Sequence, residues 1–251
     1  MVSDRTATKD FSFKQFTVHG GFSGMPVSTD GVLLGSWIQA AHNATILDIG
    51  TGTGLLSLMC AQRFYQADIH AIEIDKDAYD AASHNFSQSP WHKRLQLTHA
   101  DILSWTELFK LSDNLFDIII CNPPYFNHGQ SSKLKQRAIA RHTNSLPHKD
   151  LLQSCQKVLK QQGKANFILP RVEGEAFITL ASTLGWKVSR LCLVSPTECK
   201  PANRLLIELC QQDETINTKQ LETEHSELVI NQCGKYSDNF IALTKAFYLK
   251  M

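Results

Sequence analysis

The run Phe116-Asp117-Ile118-Ile119-Ile120-Cys121, leading directly into Asn122-Pro123-Pro124-Tyr125, constrains the fold more than any other stretch of the chain. A short apolar run with hardly a polar break reads as a strand buried on both faces, which means a parallel strand covered by helices. Whatever follows such a strand lies at its carboxyl end, the edge where open α/β sheets bind ligands. Consecutive prolines fix φ and remove two backbone donors, so the carbonyl preceding each ring points outward unpaired. Asn122 adds an amide oxygen and Tyr125 a flat apolar face. The tetrapeptide suits a planar group carrying an exocyclic amine; taken alone, a Pro-Pro turn ending a strand would look the same.

The rest of the chain supplies the covering helices. Strands are expected at Thr45–Ile49, Ile69–Ile74, Leu95–His99 and Lys164–Leu169, and helices at Leu55–Phe64, Lys76–Gln88, Leu146–Lys160 and Glu173–Leu184. Ser28-Thr29-Asp30 offers N-cap chemistry to a helix whose apolar residues Val32, Leu33, Trp37 and Ile38 recur at helical spacing. After Gly185 the strand-like runs Lys187–Val194, Leu205–Cys210 and Glu227–Ile230 follow without helices, suggesting an antiparallel edge, and Tyr236–Tyr248 reads as a closing helix. Alternating strands and helices predict an α/β fold, a doubly wound and mostly parallel sheet. With no repeat and no clear linker, residues 1–251 read as one domain, 1–27 forming an N-terminal leader segment.

Composition narrows the possible partners. The net charge of +1 comes from 25 Lys+Arg against 24 Asp+Glu, so any nucleic-acid surface must come from local clustering. The basic loop 126–149 is such a cluster. It carries Lys133, Lys135, Arg137, Arg141 and Lys149 with no acid. Basic loops position a polyanion without reading its sequence, although a solvated loop has the same composition. Lys200 and Arg204 could extend the patch or be a simple exposed turn. The seven cysteines contain no C-x-x-C pair, and the histidines show no metal-ligand spacing. No run approaches a membrane span, and a reduced, cytoplasmic setting is expected.

A second site element follows the first strand. Asp48-Ile49-Gly50-Thr51-Gly52-Thr53-Gly54 turns into a helix, its glycines letting the backbone approach a ligand. Leu55 stands where the dinucleotide fingerprint requires glycine, which disfavours a nucleotide-dependent oxidoreductase. Glu73 ends the second strand, where a carboxylate can accept both hydroxyls of a ribose. Asp101 ends the third, where it can accept an adenine amine hydrogen, and Asn122 ends the fourth. Singly, each acid could be a solvated surface group. As a row they outline one crevice.

Asp48-x-Gly-x-Gly-x-Gly, Glu73, Asp101 and Asn-Pro-Pro-Tyr, in this order, resemble the class I (Rossmann-like) S-adenosylmethionine-dependent methyltransferases of the amino-methylating type. Phe13-Lys14-Gln15-Phe16, the block Met25 to Gly35, Gln88-Ser89-Pro90-Trp91 and the C-terminal Ala242 to Leu249 resemble more narrowly the bacterial tRNA1(Val) (adenine(37)-N6)-methyltransferases. The resemblance implies a seven-stranded, mostly parallel sheet with an antiparallel edge strand. It also implies S-adenosyl-L-methionine as cofactor, S-adenosyl-L-homocysteine as product, no metal, and tRNA as partner with no obligate protein partner. Asp48, Gly50, Gly52 and Gly54 would cradle the methionine portion, with Thr29 and Asp30 over it. Glu73 would hold the ribose and Asp101 the adenine, with Ile102 beside the ring. Asn122, Pro123, Pro124 and Tyr125 would hold the target base, adenosine 37 of tRNA(Val). A guanine amine of rRNA or a glutamine amide of a protein remains an alternative acceptor, and a non-catalytic cofactor-binding subunit a more distant one.

Overall fold

The computed structural model describes residues 7–23, 25–108, 115–123, 146–212 and 222–251. A two-stranded hairpin comes first, β1 (Phe11–Ser12) with β2 (Thr17–Val18). The helix α1 (Thr29–Trp37) follows, its N-terminus capped by Ser28 Oγ, which accepts from Gly31 N at 3.1 Å. Then come β3 (Thr45–Ile49), α2 (Leu55–Arg63), β4 (Asp68–Glu73), α3 (Lys76–Gln88), β5 (Leu95–His99), α4 (Ile102–Leu108) and β6 (Phe116–Cys121). Beyond lie α5 (His148–Val158), β7 (Leu159–Pro170), α6 (Arg171–Thr183), β8 (Trp186–Thr197), β9 (Arg204–Gln211), β10 (Glu224–Gln232), β11 (Lys235–Tyr236) and α7 (Asp238–Thr244).

The main sheet has nine strands in the order β11-β10-β8-β9-β7-β6-β3-β4-β5. Side chains alternate across it, as a buried strand requires. Ile46, Ile118 and Ile120 enter the apolar layer shared with α1 and α2; Leu47, Ile119 and Cys121 enter the layer shared with α5 and α6. The architecture is therefore helix, sheet, helix.

The sheet is larger than the seven strands expected, because β10 pairs parallel with β8 and carries β11 along its outer side. Nor does the antiparallel character sit only at the edge. β9 runs antiparallel between β7 and β8, so β8 and β10 regain the direction of the parallel strands. The expected helix 236–248 is shorter. The turn Cys233-Gly234 has φ of 50° and 75°, the pattern of a tight two-residue hairpin, and it folds β11 back on β10 before Ser237 caps α7. Within the leader segment, residues 11–18 pack against the domain, with Phe13, Phe16 and Val18 all buried.

Candidate active site

β5, β4, β3 and β6 are neighbours and mutually parallel, so their carboxyl ends share one edge. Asp101, Glu73, the turn 50–54 and Asn122 consequently form the row that the sequence suggested. The β8–β9 turn and the β10–β11 hairpin lie on the same edge, because β8 and β10 run in the same direction.

The glycine turn is held from beneath. The amides of Gly50 and Thr51 donate to Ile72 O at 2.9 and 3.1 Å, and Gly52 N donates to Glu73 Oε2 at 2.8 Å. Gly50 has φ of 68°, and a Cβ there would meet nothing within 4 Å, so the turn leaves open space on its ligand side. Gly54 is required for a different reason: a Cβ would stand 2.5 Å from Phe86 Cε1. Asp48 lies fully buried below. Its Oδ2 accepts from Thr51 Oγ1 at 2.6 Å, Ser57 Oγ at 2.7 Å and Ser57 N at 3.1 Å, while Oδ1 is buried without a hydrogen-bond partner among the described residues. Burial pushes the Asp48 carboxyl up to about 6 against the pull of those donors. Such a group is prepared for a cationic or donating ligand atom.

Glu73, 4% exposed, accepts from Ile74 N at 2.9 Å and Asp75 N at 2.8 Å through Oε1. Oε2, which accepts from Gly52 N, retains a further lone pair for a hydroxyl. Asp101 Oδ1 accepts from Leu103 N at 3.2 Å at the start of α4, a helix absent from the sequence reading. Ile102 is buried in the layer that holds Ile49 and Ile72. Asn122 Oδ1 is buried, and no donor among the described residues reaches it. Pro123 beside it is also buried. An amide oxygen stripped of water and left unpaired is costly unless something else donates to it.

Thr29 opens α1 and is exposed; Asp30 accepts from Arg204 Nε at 2.9 Å. Arg204 therefore serves as a partner across the sheet edge, not as a simple exposed turn residue. Lys149 is exposed on the first turn of α5. Pro124, Tyr125, Lys133, Lys135, Arg137 and Arg141 lie outside the described residues.

One positioning residue escaped the sequence reading. Asn85 is 2% exposed; its Nδ2 donates to Thr53 O at 2.8 Å and His19 O at 3.0 Å, and its Oδ1 accepts from His19 N at 2.8 Å. It ties the N-terminal segment to the glycine turn. A signal existed, for Asn85 is a polar side chain on the buried stripe Ala78, Ala81, Ala82 and Phe86.

Comparison with known proteins agrees with this geometry. Residues 13–176 match the Methyltransferase small domain family. A protein of Vibrio parahaemolyticus is 54% identical over 251 residues, all of both chains, and one of Vibrio cholerae is 49% identical over 255, again spanning both. An Aliivibrio salmonicida protein is 46% identical, over 97% of this chain and 99% of its own. All three are named tRNA1(Val) (adenine(37)-N6)-methyltransferase. Among solved structures, a predicted O-methyltransferase of Agrobacterium tumefaciens superposes with a TM-score of 0.65 at 16% identity, covering 87% of this chain and 96% of that one. TYW2 of Pyrococcus horikoshii, in complex with MeSAdo, gives 0.55 at 14% identity over 82% and 71%. At such identities these two establish the fold alone.

Proposed function

The chain belongs to the tRNA1(Val) (adenine(37)-N6)-methyltransferases, within the small-domain methyltransferase family, and from that membership we propose that it methylates the exocyclic N6 amine of adenosine 37 in the anticodon loop of tRNA(Val). Bound S-adenosylmethionine supplies an electrophilic sulfonium methyl. In this reading Asp48, Gly50, Gly52 and Gly54 hold the methionine portion, with Thr29 and Asp30 over it. Glu73 accepts from the ribose hydroxyls and Asp101 from the adenine amine, with Ile102 beside the ring. The unpaired Asp48 Oδ1 and the open space over Gly50 support that placement. No residue is assigned to a metal, tRNA is the partner, and a cytoplasmic setting fits the substrate. The chain acts as one domain, 1–251, with 126–149 as its RNA-contacting loop.

The observation that carries the catalytic assignment is the buried Oδ1 of Asn122 at the end of β6, which has no hydrogen-bond partner among the described residues. An adenine N6 amine is a poor nucleophile because its lone pair is delocalised into the ring. Asn122 Oδ1 and the Pro123 carbonyl each accept one N–H, which draws the nitrogen toward tetrahedral geometry and aims its lone pair away from the ring plane. Pro124 keeps the turn rigid and Tyr125 stacks on the base, a contact worth about 1–3 kcal/mol. The base must leave its loop stack to reach these groups. This is catalysis by positioning and preorganised acceptors.

Asn122→Ala tests it. Tritium transfer to tRNA lacking the modification, followed by nucleoside analysis, is expected to show kcat reduced by about 10²–10³-fold while S-adenosylmethionine still binds. Wild-type turnover by the variant would remove Asn122 from the mechanism.

A further inference from the structure

A groove of about 640 Å³ opens on the catalytic edge beyond the methyl-transfer site. Thr29, Asp30 and Arg204 form its near wall; Asn231, Lys235 and Tyr236, from the β10–β11 hairpin, form its far wall. From β6 to β8 the strand order is β6-β7-β9-β8. Three strand spacings separate them, about 14 Å, and β11, which carries Lys235 and Tyr236, lies two strands further out, about 24 Å from β6, so the groove lies several nucleotides from the base that Asn122 would hold.

The far wall is chemically specific. Tyr236 is 51% exposed, and Phe240 backs its ring at a centroid distance of 5.0 Å and an interplanar angle of 35°. Lys235 is exposed and makes no ion pair among the described residues. Asn231 is locked by a bond from its Nδ2 to Pro196 O at 3.1 Å. The hairpin tip is held as well: Cys233, a non-glycine at φ 50°, donates its N–H to Glu198 Oε1 at 2.9 Å across to the β8–β9 turn. A left-handed cysteine is uncommon and persists where the surroundings require it. A rigid aromatic face beside an unpaired cation is the pairing that receives a base and its phosphate.

We infer that this groove seats the anticodon-loop nucleotides flanking the methylated adenosine, with Lys235 on a phosphate and Tyr236 against a base. The inference deepens the function proposed above and rests on it. It adds RNA contacts on the β10–β11 hairpin, on residues other than those of 126–149, with Thr29 and Asp30 standing between the groove and the cofactor.

Steady-state methylation of unmodified tRNA(Val) by the full-length chain tests the groove, with S-adenosylmethionine affinity measured alongside. Lys235→Ala and Tyr236→Ala are each expected to raise KM for tRNA about tenfold, with kcat within about twofold and S-adenosylmethionine affinity unchanged. Lys235→Ala should also flatten the salt dependence of kcat/KM by about one phosphate contact. Lys235→Arg and Tyr236→Phe should restore wild-type KM. Unchanged KM in both alanine variants would overturn the assignment, as would an equal loss of S-adenosylmethionine affinity, which would place the effect in the fold. A wild-type enzyme that binds S-adenosylmethionine yet labels only protein, or nothing, would overturn the functional reading itself.

Discussion

Asp48 is buried with one oxygen saturated by Thr51 and Ser57 and the other unpaired, and this asymmetry has a measurable consequence in the ligand-free protein. Its folded pKa of about 6 lies above the unfolded value of about 3.9. Between those values the folded state holds a proton that the unfolded state has released. The Asp48 contribution is therefore fully present below pH ~4 and is lost as pH rises through ~6, about 3 kcal/mol in all. Denaturant unfolding of wild type and Asp48→Asn from pH 4 to 7.5 isolates it, the wild type falling relative to the variant as pH rises. A pH-independent difference would mean that the carboxyl titrates normally. Asp48, Glu73, Asp101 and Asn122 were all legible as site candidates because each lies at or just beyond the carboxyl end of a strand readable in the sequence. Arg204 was not. Its partner Asp30 is 174 positions away, and no local pattern announces the pair.

At the scale of elements, the passage from α2 to β4 depends on a side chain from neither. Arg94 donates to Ala61 O at 2.8 Å, Phe64 O at 3.1 Å and Ala67 O at 2.6 Å, satisfying carbonyls that the helix end leaves open. Replacing it by methionine keeps the apolar stem and removes every donor. Arg94→Met is expected to lose about 2 kcal/mol, seen as a fall in Tm of about 6 °C, with S-adenosylmethionine affinity retained. Differential scanning calorimetry checks this, and an unchanged Tm would reduce the three bonds to surface contacts. Strong hydrophobic periods made β3, β4, β6 and α3 readable within a residue or two. The β10–β11 hairpin was hidden because its turn places Cys233 where asparagine or glycine usually signals positive φ. Helix α4 was hidden too, being short and started by Asp101, a residue already read as a ligand group.

Across the whole molecule, the two ends of the chain close against each other. Phe13 is 4% exposed; it stacks on Phe16 at 4.8 Å and meets Phe247 edge-on at 6.5 Å, while Lys14 N donates to Phe247 O at 2.8 Å. Phe13→Ala removes a large buried ring and should cost about 4 kcal/mol, lowering Tm by about 12 °C. Because His19 continues from this hairpin to Asn85 and the glycine turn, cofactor affinity should weaken as well; calorimetric titration of the folded variant reads that directly. Unaltered affinity would separate the hairpin from the site. The sequence by itself determined the α/β class, the four strand ends that share one edge and the residue types placed there, since strand periods and strand-end residues are short-range features. Only the tertiary structure decided that β9 enters between β7 and β8, that Arg204 meets Asp30, that Asn85 clamps the glycine turn and that a groove opens beside Lys235 and Tyr236. Each of these joins segments far apart in the chain, and such pairing is selected by packing the whole sheet and its helices at once, not by any local window of residues.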